Sequence, residues 1–298
     1  MKIGYIGAGA MGAPMIAQLA AAFPGDVLVY DVNAEIAATV AQETGATAAP
    51  SVADIAAASD VLLSCVPTND TIRKVYLGEG GVASAMKPGG ITIDCSTVGP
   101  DATREVHAHL AARGVSHLDA SMLGSVKQAN EGTISFVVGG EAEAFEKARP
   151  VLEACGEMIL HCGPSGAGNH MKLIHQTLVA GHAVAVAEAV GLCLETGADV
   201  ETFYRIVTEG TGFAYSRYFE NRVPRMRDGD FSPLFTLQFL LKDIRLARDM
   251  AETPRETFPM LSTLVDSFEA AEAKGLGGED FSAVAKLTAE RVGKPINR

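Results

Sequence analysis

The chain opens MKIGYIGAGAMGAPM, a short apolar run leading directly into Gly7, Gly9 and Gly12, and an acid, Asp31, closes the next apolar run, VLVYD. Glycines at this spacing serve three purposes. The first permits a tight strand-to-helix turn, the second lets bare backbone approach an anion, and the third lets the helix pack closely on the strand. The backbone N–H groups of Gly9, Ala10, Met11 and Gly12 would then face a pyrophosphate. Asp31 is placed to accept hydrogen bonds from both hydroxyls of an adenosine ribose, and it would repel a 2′-phosphate. No Lys, Arg or His lies between Lys2 and Arg73 to hold such a phosphate. These residues predict a dinucleotide site that takes NAD in preference to NADP. Two simpler readings remain open: an ordinary glycine turn and, for Asp31, a cap for the helix that DVNAE begins.

The second candidate is Lys172, in NHMKLIHQTLVAGHAVAVAEAVGLCLE (169–195), where it and Glu188 are the only charges before Glu195. Burial disfavours the charged form of a lysine. The neutral amine can then accept a proton and return it, as a general base and acid do. On a helix, His175 at i+3 and Gln176 at i+4 share the face from which Lys172 projects. The plainer alternative is a solvated lysine near a helix end, its stem lying along apolar surface.

Elements that could position these groups follow from the hydrophobic pattern. Strand-like runs recur at 2–6, 27–30, 61–65, 91–94, 116–118, 134–138 and 158–161, with helical patterns between the earlier ones, including an Ala-rich helix at 11–22. That alternation predicts the α/β class: an N-terminal doubly wound Rossmann sheet over residues 1–164. After His161 the strand signals stop, and three glycines and a proline cluster in CGPSGAGNH. Residues 165–298 then read as a long interdomain helix and an all-α domain for substrate and oligomerisation. The 169–195 segment, about 40 Å as a helix, is long enough to span a membrane, but His175, Gln176, His182 and Glu188 interrupt it and its flanks lack anchors. A helix buried in a two-domain protein or at a subunit interface fits better.

A formal net charge of −12 argues against nucleic acid or an anionic membrane as partner. Five cysteines, at 65, 95, 155, 162 and 193, form no CxxC. Neither a disulfide framework nor a metal site is indicated, and a reducing cytoplasm fits. Lys2 ahead of an apolar stretch reaching Phe23 has the look of a signal peptide, yet the glycine spacing and the strand after Asp26 favour the nucleotide reading.

Taken in order, GAGAMGAPM (7–15), CVPTND (65–70), DCSTVGP (94–100), GPSGAGNHMKLIHQ (163–176), LLKDIRLA (240–247) and GGEDFSAV (277–284) resemble the β-hydroxyacid dehydrogenase family along the whole chain. That family comprises 3-hydroxyisobutyrate, tartronate semialdehyde and L-threonate dehydrogenases and is related to 6-phosphogluconate dehydrogenase. The resemblance implies oxidation of a small 3-hydroxy acid with NAD or NADP, of which Asp31 favours NAD, reversible as reduction of a semialdehyde or keto acid, with Lys172 as general acid and base. It implies cofactor contacts at Val66, Pro67, Asn69, Thr97 and Lys242. Read singly, Pro67 and Asn69 could form a turn, Thr97 could cap a helix and Lys242 could pair with Asp243 at the surface.

Two departures bear on the substrate. DASMLGS (119–125) stands where the family has DAPVSGG, so Leu123 replaces a serine associated with the substrate carboxylate. Backbone N–H groups at Leu123 and Gly124 could bind that anion, with Ser121, Ser125 or Lys127 supplying side chains. Gln176 replaces the family's asparagine, and KLIHQTLVAG resembles the L-threonate branch, whose substrate is an elongated polyhydroxy acid. Phe213 in TGFAY, with Phe235 or Phe239, is expected to wall the substrate. The competing readings are a reductase of a carbonyl or imine lacking a carboxylate, and an NAD-binding regulatory protein without catalysis. The long apolar helix also predicts a homodimer or homotetramer, since it would leave a lone monomer with a large apolar patch.

Overall fold

Strands β1 (Ile3–Ile6), β2 (Val27–Tyr30), β3 (Thr47–Ala48), β4 (Val61–Ser64), β5 (Ile91–Asp94), β6 (Ser116–Leu123), β7 (Ile134–Gly139) and β8 (Gly156–Gly163) build one sheet in a computed structural model that describes residues 1–296. Their order is β3-β2-β1-β4-β5-β6-β7-β8. All neighbours run parallel except β6 and β7. The order reverses between β1 and β4. Loops leaving the carboxyl ends of those two strands therefore flank the crevice in which open α/β sheets hold ligands. β1 and β4 are buried along their whole length, which is why IGYI and VLLS read as unbroken small or apolar runs rather than alternating ones.

The helices of this half are α1 (Gly12–Ala22), α2 (Ala34–Thr44), α3 (Val52–Ala58), α4 (Asn69–Leu77), α5 (Val82–Ala85), α6 (Pro100–Ala111), α7 (Val126–Glu131) and α8 (Ala142–Glu153). They cover both sheet faces. Met15, Ile16 and Leu19 of α1 and Phe145 of α8 pack with Ile3, Tyr5 and Phe136 on one face. On the other, Ile55, Ile72, Tyr76, Val106 and Leu110 pack with Leu62.

The predicted strands are present, with three differences. β3 is two residues long and carries no apolar run. β6 continues to Leu123 through Asp119 and Ser121, polar residues that broke the apolar pattern and are nevertheless fully buried. β8 is longer than the 158–161 run and exposes Met158 and Leu160.

Helix α9 (Ala167–Thr196) follows. The chain packs as two compact units, Met1–Lys172 and Leu173–Arg298, dividing inside α9 after Lys172. The second unit continues with α10 (Val200–Glu209), α11 (Arg217–Arg227), α12 (Leu237–Asp249), α13 (Pro259–Ala273) and α14 (Ala285–Val292). Its core joins Ala183, Ala187, Val190 and Leu194 of α9 to Leu240, Leu241 and Ile244 of α12 and to Leu264 and Phe268 of α13. Among the described residues α9 is the one helix long and apolar enough to cross a membrane. One side of it forms this core, while Ile174, Leu178 and Leu192 on it are exposed.

Candidate active site

The glycine turn joins β1 to α1 at the point where the strand order reverses. Gly7 has φ +97°, and a Cβ there would strike the carbonyl oxygen of Cys65, the residue that leaves β4. A Cβ on Gly12 would strike the carbonyl oxygen of Gly7. These two glycines are demanded by the fold itself. Gly9 is different, because a Cβ there would meet no protein atom within 4 Å. Its bare backbone faces open space, as close approach of a pyrophosphate requires. No side chain caps α1 and its first turn holds no acid, so the helix-start N–H groups at Met11 and Gly12 suit an anion.

Asp31 is half-buried and bound to this turn. Its Oδ2 accepts from the Ala8 N–H at 2.8 Å and its Oδ1 from the Asn33 N–H at 2.9 Å. The cap of α2 is Asn33, which accepts from Glu35 and Ile36, so the helix-cap reading of Asp31 does not hold. The loop after β4 is held as firmly. The Val66 N–H donates to Ser96 Oγ at 2.8 Å, and Ser96 Oγ donates to the buried Asp94 Oδ1 at 2.6 Å. Asn69 Oδ1 accepts from the Gly99 N–H at 2.9 Å, tying that loop to the one that follows β5. Thr68 caps α4 and Gly99 stands at the cap of α6, so neither Asn69 nor Thr97 is a helix cap. Pro67 is exposed and Thr97 half-buried along the same edge.

Lys172 is buried, and its Nζ donates to the Met122 carbonyl oxygen of β6 at 2.8 Å. The solvated-end reading of this lysine is therefore excluded. The same strand fixes the start of the helix that carries it. Asp119 Oδ1 accepts from the Gly166 N–H at 2.8 Å and Oδ2 from the Asn169 N–H at 2.9 Å, satisfying helix-start donors that would otherwise be buried without partners. Burial pushes the Asp119 carboxyl up to about 6; the two N–H donors pull the other way, and Asp94 beside it on β5 adds to the rise.

Asn169 is wholly buried, and its amide is satisfied when the nitrogen donates to Ser121 Oγ (3.0 Å), Val98 O and Ser96 O (both 3.2 Å) and the oxygen accepts from Thr103 Oγ1 (2.9 Å). Ser121, expected at the substrate, is thus turned into the interior. Ser125 is also engaged. It caps α7, accepting from the Lys127 N–H and donating to Gln128 Oε1 at 2.6 Å. Lys127 is exposed, 3.9 Å from Glu131. Leu123 is half-buried and Gly124 exposed with φ +150°, a backbone conformation that favours glycine.

In the helical unit, buried Gln176 donates from Nε2 to Asp243 Oδ2 at 2.7 Å, and His175 Nδ1 lies 3.2 Å from Gln176 Oε1. Lys242 Nζ is 2.9 Å from Asp243 Oδ1, so the pairing considered for it is present, although Lys242 is half-buried and Asp243 almost fully buried. Phe213 is fully exposed on the segment between α10 and α11. Phe235 and Phe239 stack on each other with centroids 6.3 Å apart.

Three residues with structural claims on the site, Asp94, Asp119 and Asn169, escaped the sequence reading. The signal was available in part. Each aspartate opens one of the motifs, Asp94 DCSTVGP at the end of β5 and Asp119 DASMLGS within β6, and the two are register partners.

A doubly wound sheet with an open glycine turn at its switch point defines a dinucleotide-binding protein. Profile comparison gives the same class: residues 2–163 match the NAD binding domain of 6-phosphogluconate dehydrogenase, and 166–288 match the NAD-binding region of NADP-dependent 3-hydroxyisobutyrate dehydrogenase. The chain is 35% identical to 2-(hydroxymethyl)glutarate dehydrogenase of Eubacterium barkeri, covering 100% of this chain and 98% of that one. It is also 35% identical to the NAD-dependent L-serine dehydrogenase of Pseudomonas aeruginosa, over 96% and 97% of the two chains. A solved structure of Mycobacterium tuberculosis 3-hydroxyisobutyrate dehydrogenase with L-serine superposes with a TM-score of 0.83, at 32% identity over 96% and 98% of the chains. The chain belongs to the β-hydroxyacid dehydrogenase family and is a hydroxyacid oxidoreductase.

Proposed function

We propose that this enzyme oxidises a small 3-hydroxy acid with NAD, reversibly, using Lys172 as the proton-transfer group. The observation that carries the reading is Lys172 itself: a buried amine on the first turns of α9, with one N–H held by the Met122 carbonyl. The dinucleotide would be held by Gly7, Gly9, Ala10, Met11, Gly12, Asp31, Val66, Pro67, Asn69, Thr97 and Lys242. When bound, its nicotinamide supplies the hydride acceptor for oxidation and the hydride donor for reduction. Lys172 Nζ takes the proton of the substrate hydroxyl in oxidation and returns it to the carbonyl oxygen in reduction. Gln176, one helical turn further on, orients that oxygen.

NAD is favoured over NADP because Asp31 borders the glycine turn and no cation lies between Lys2 and Arg73. The substrates named for the relatives above, 2-(hydroxymethyl)glutarate, L-serine and 3-hydroxyisobutyrate, share a hydroxymethyl group on the carbon that bears the carboxylate. With Ser121 and Ser125 engaged internally, backbone N–H groups around Leu123 and Gly124 receive that carboxylate. The enzyme acts in the cytoplasm as a homodimer or homotetramer, with neither nucleic acid nor membrane as partner. A panel of threonate, glycerate, 3-hydroxyisobutyrate and serine, each with NAD and with NADP and read by formation of reduced nicotinamide, tests the reading. Turnover of at least one hydroxy acid, faster with NAD, is expected; no turnover across the panel overturns it.

A further inference from the structure

We infer that Ser96, held by Asp94, positions the loop that receives the nicotinamide half of the cofactor. The inference rests on the placement of the dinucleotide under Proposed function. There Asp31, which follows β2, takes the adenosine ribose, and the glycine turn after β1 takes the pyrophosphate. In the strand order β2-β1-β4-β5 the other half of the dinucleotide then falls over the loops that leave β4 and β5. Val66 and Pro67 lie on the first of these loops and Thr97 on the second.

The Ser96 hydroxyl joins the two loops at their base, where its Oγ accepts from the Val66 N–H at 2.8 Å. A hydroxyl has one proton to give, and here it goes to Asp94 Oδ1 at 2.6 Å. The same carboxylate oxygen accepts from Ser64 Oγ at 2.7 Å. Ser64 has then given its own proton, so Tyr76 is the donor in the 2.8 Å bond between the Tyr76 and Ser64 hydroxyls. Asp94, Ser64 and Tyr76 are fully buried and Ser96 is 1% exposed, so bulk water does not compete for these bonds. Pro67 has no N–H, which makes the Val66 N–H the one backbone donor by which the sheet can hold this pair of residues. Ser96 and Asp94 lie inside the fold and act through Val66 and Pro67, as positioning residues. Without the Ser96 hydroxyl the Val66 N–H loses its partner and the Val66–Pro67 stretch loosens, while the Gly99 N–H still holds Asn69. The glycine turn and Asp31 keep their own bonds.

Ser96→Ala tests this by binding alone. Titration calorimetry compares reduced NAD, which carries both halves, with ADP-ribose, which lacks the nicotinamide. The variant is expected to bind reduced NAD about three- to tenfold more weakly, the equivalent of one hydrogen bond, and ADP-ribose within about twofold of wild type. A role in the fold alone would lower the unfolding temperature and move both dissociation constants together or neither. Asp94→Ala should bring the same selective loss, and in the Ser96→Ala background it should add nothing to it. Equal weakening of both ligands in Ser96→Ala, unchanged binding of both, or additive selective losses in the double variant overturn the inference. If Ser96→Ala does not fold, Ser96→Cys, whose thiol is a poor acceptor, gives the same comparison with the same outcomes. A wild type that binds reduced NAD no more tightly than ADP-ribose refutes instead the placement of the nicotinamide over these loops.

Discussion

Replacing Asp119 with Asn should remove most of the pH dependence that this buried carboxylate gives to stability. Its side chain is fully buried and its carboxyl titrates at about 6, against an ordinary 3.8. A folded-state value above the unfolded one means that the native state holds the proton more tightly. The associated stability is complete below about 4 and is lost as pH rises through about 6. Two pKa units and a little more correspond to about 3 kcal/mol. At pH 7.5 the variant is relieved of that cost but leaves one of the Gly166 and Asn169 N–H groups without a good acceptor, a loss of about 1–3 kcal/mol. The net change at pH 7.5 is therefore small. The difference between variant and wild type should nevertheless move by about 3 kcal/mol in favour of the variant between pH 4 and 7.5. Urea unfolding of both proteins at intervals across that range measures it, and amide exchange at Gly166 and Asn169 shows which donor is released. Stability curves that stay parallel would refute the reasoning, because Asp119 would then not be titrating in the interval.

The glycine turn separates fold from ligand in a pair of variants. Gly9→Ala should unfold within about 0.5 kcal/mol of wild type yet bind the cofactor at least about tenfold more weakly, whereas Gly12→Ala should lose stability, its Cβ meeting the Gly7 carbonyl. Equal stability losses in both would remove the distinction. Asp31→Ala should weaken NAD relative to NADP in steady-state kinetics; an unchanged preference would leave Asp31 as an anchor of the turn alone. Sedimentation of the wild-type chain should show an oligomer that covers exposed Ile174, Leu178 and Leu192 of α9, and a concentration-independent monomer mass would contradict it.

The Rossmann half was legible because its central strands are buried on both faces and therefore spell unbroken runs of small and apolar residues, and because glycine spacing records steric demands that no other residue meets. The polar interior was much less legible. Asp119 and Ser121 interrupt the pattern of β6, yet both are buried, the one satisfied by the start of α9 and the other by Asn169. A periodicity argument sees only that a polar residue is present and cannot see a partner some fifty positions away. Ser121 is expected at the substrate because Leu123 replaces the family's serine two residues on, whereas its hydroxyl is engaged with Asn169 in the interior. Gln176 is recognisable from its spacing to Lys172, but the carboxylate it donates to, Asp243, comes from α12 and leaves no trace near Gln176 in the sequence.

The central claim is that Lys172 moves the substrate proton during hydride transfer, and Lys172→Met tests it most directly. The variant should lose turnover of the best hydroxy acid by at least about a hundredfold at saturating substrate while still binding reduced cofactor, followed by nicotinamide fluorescence. Near-normal turnover in that variant would contradict the claim.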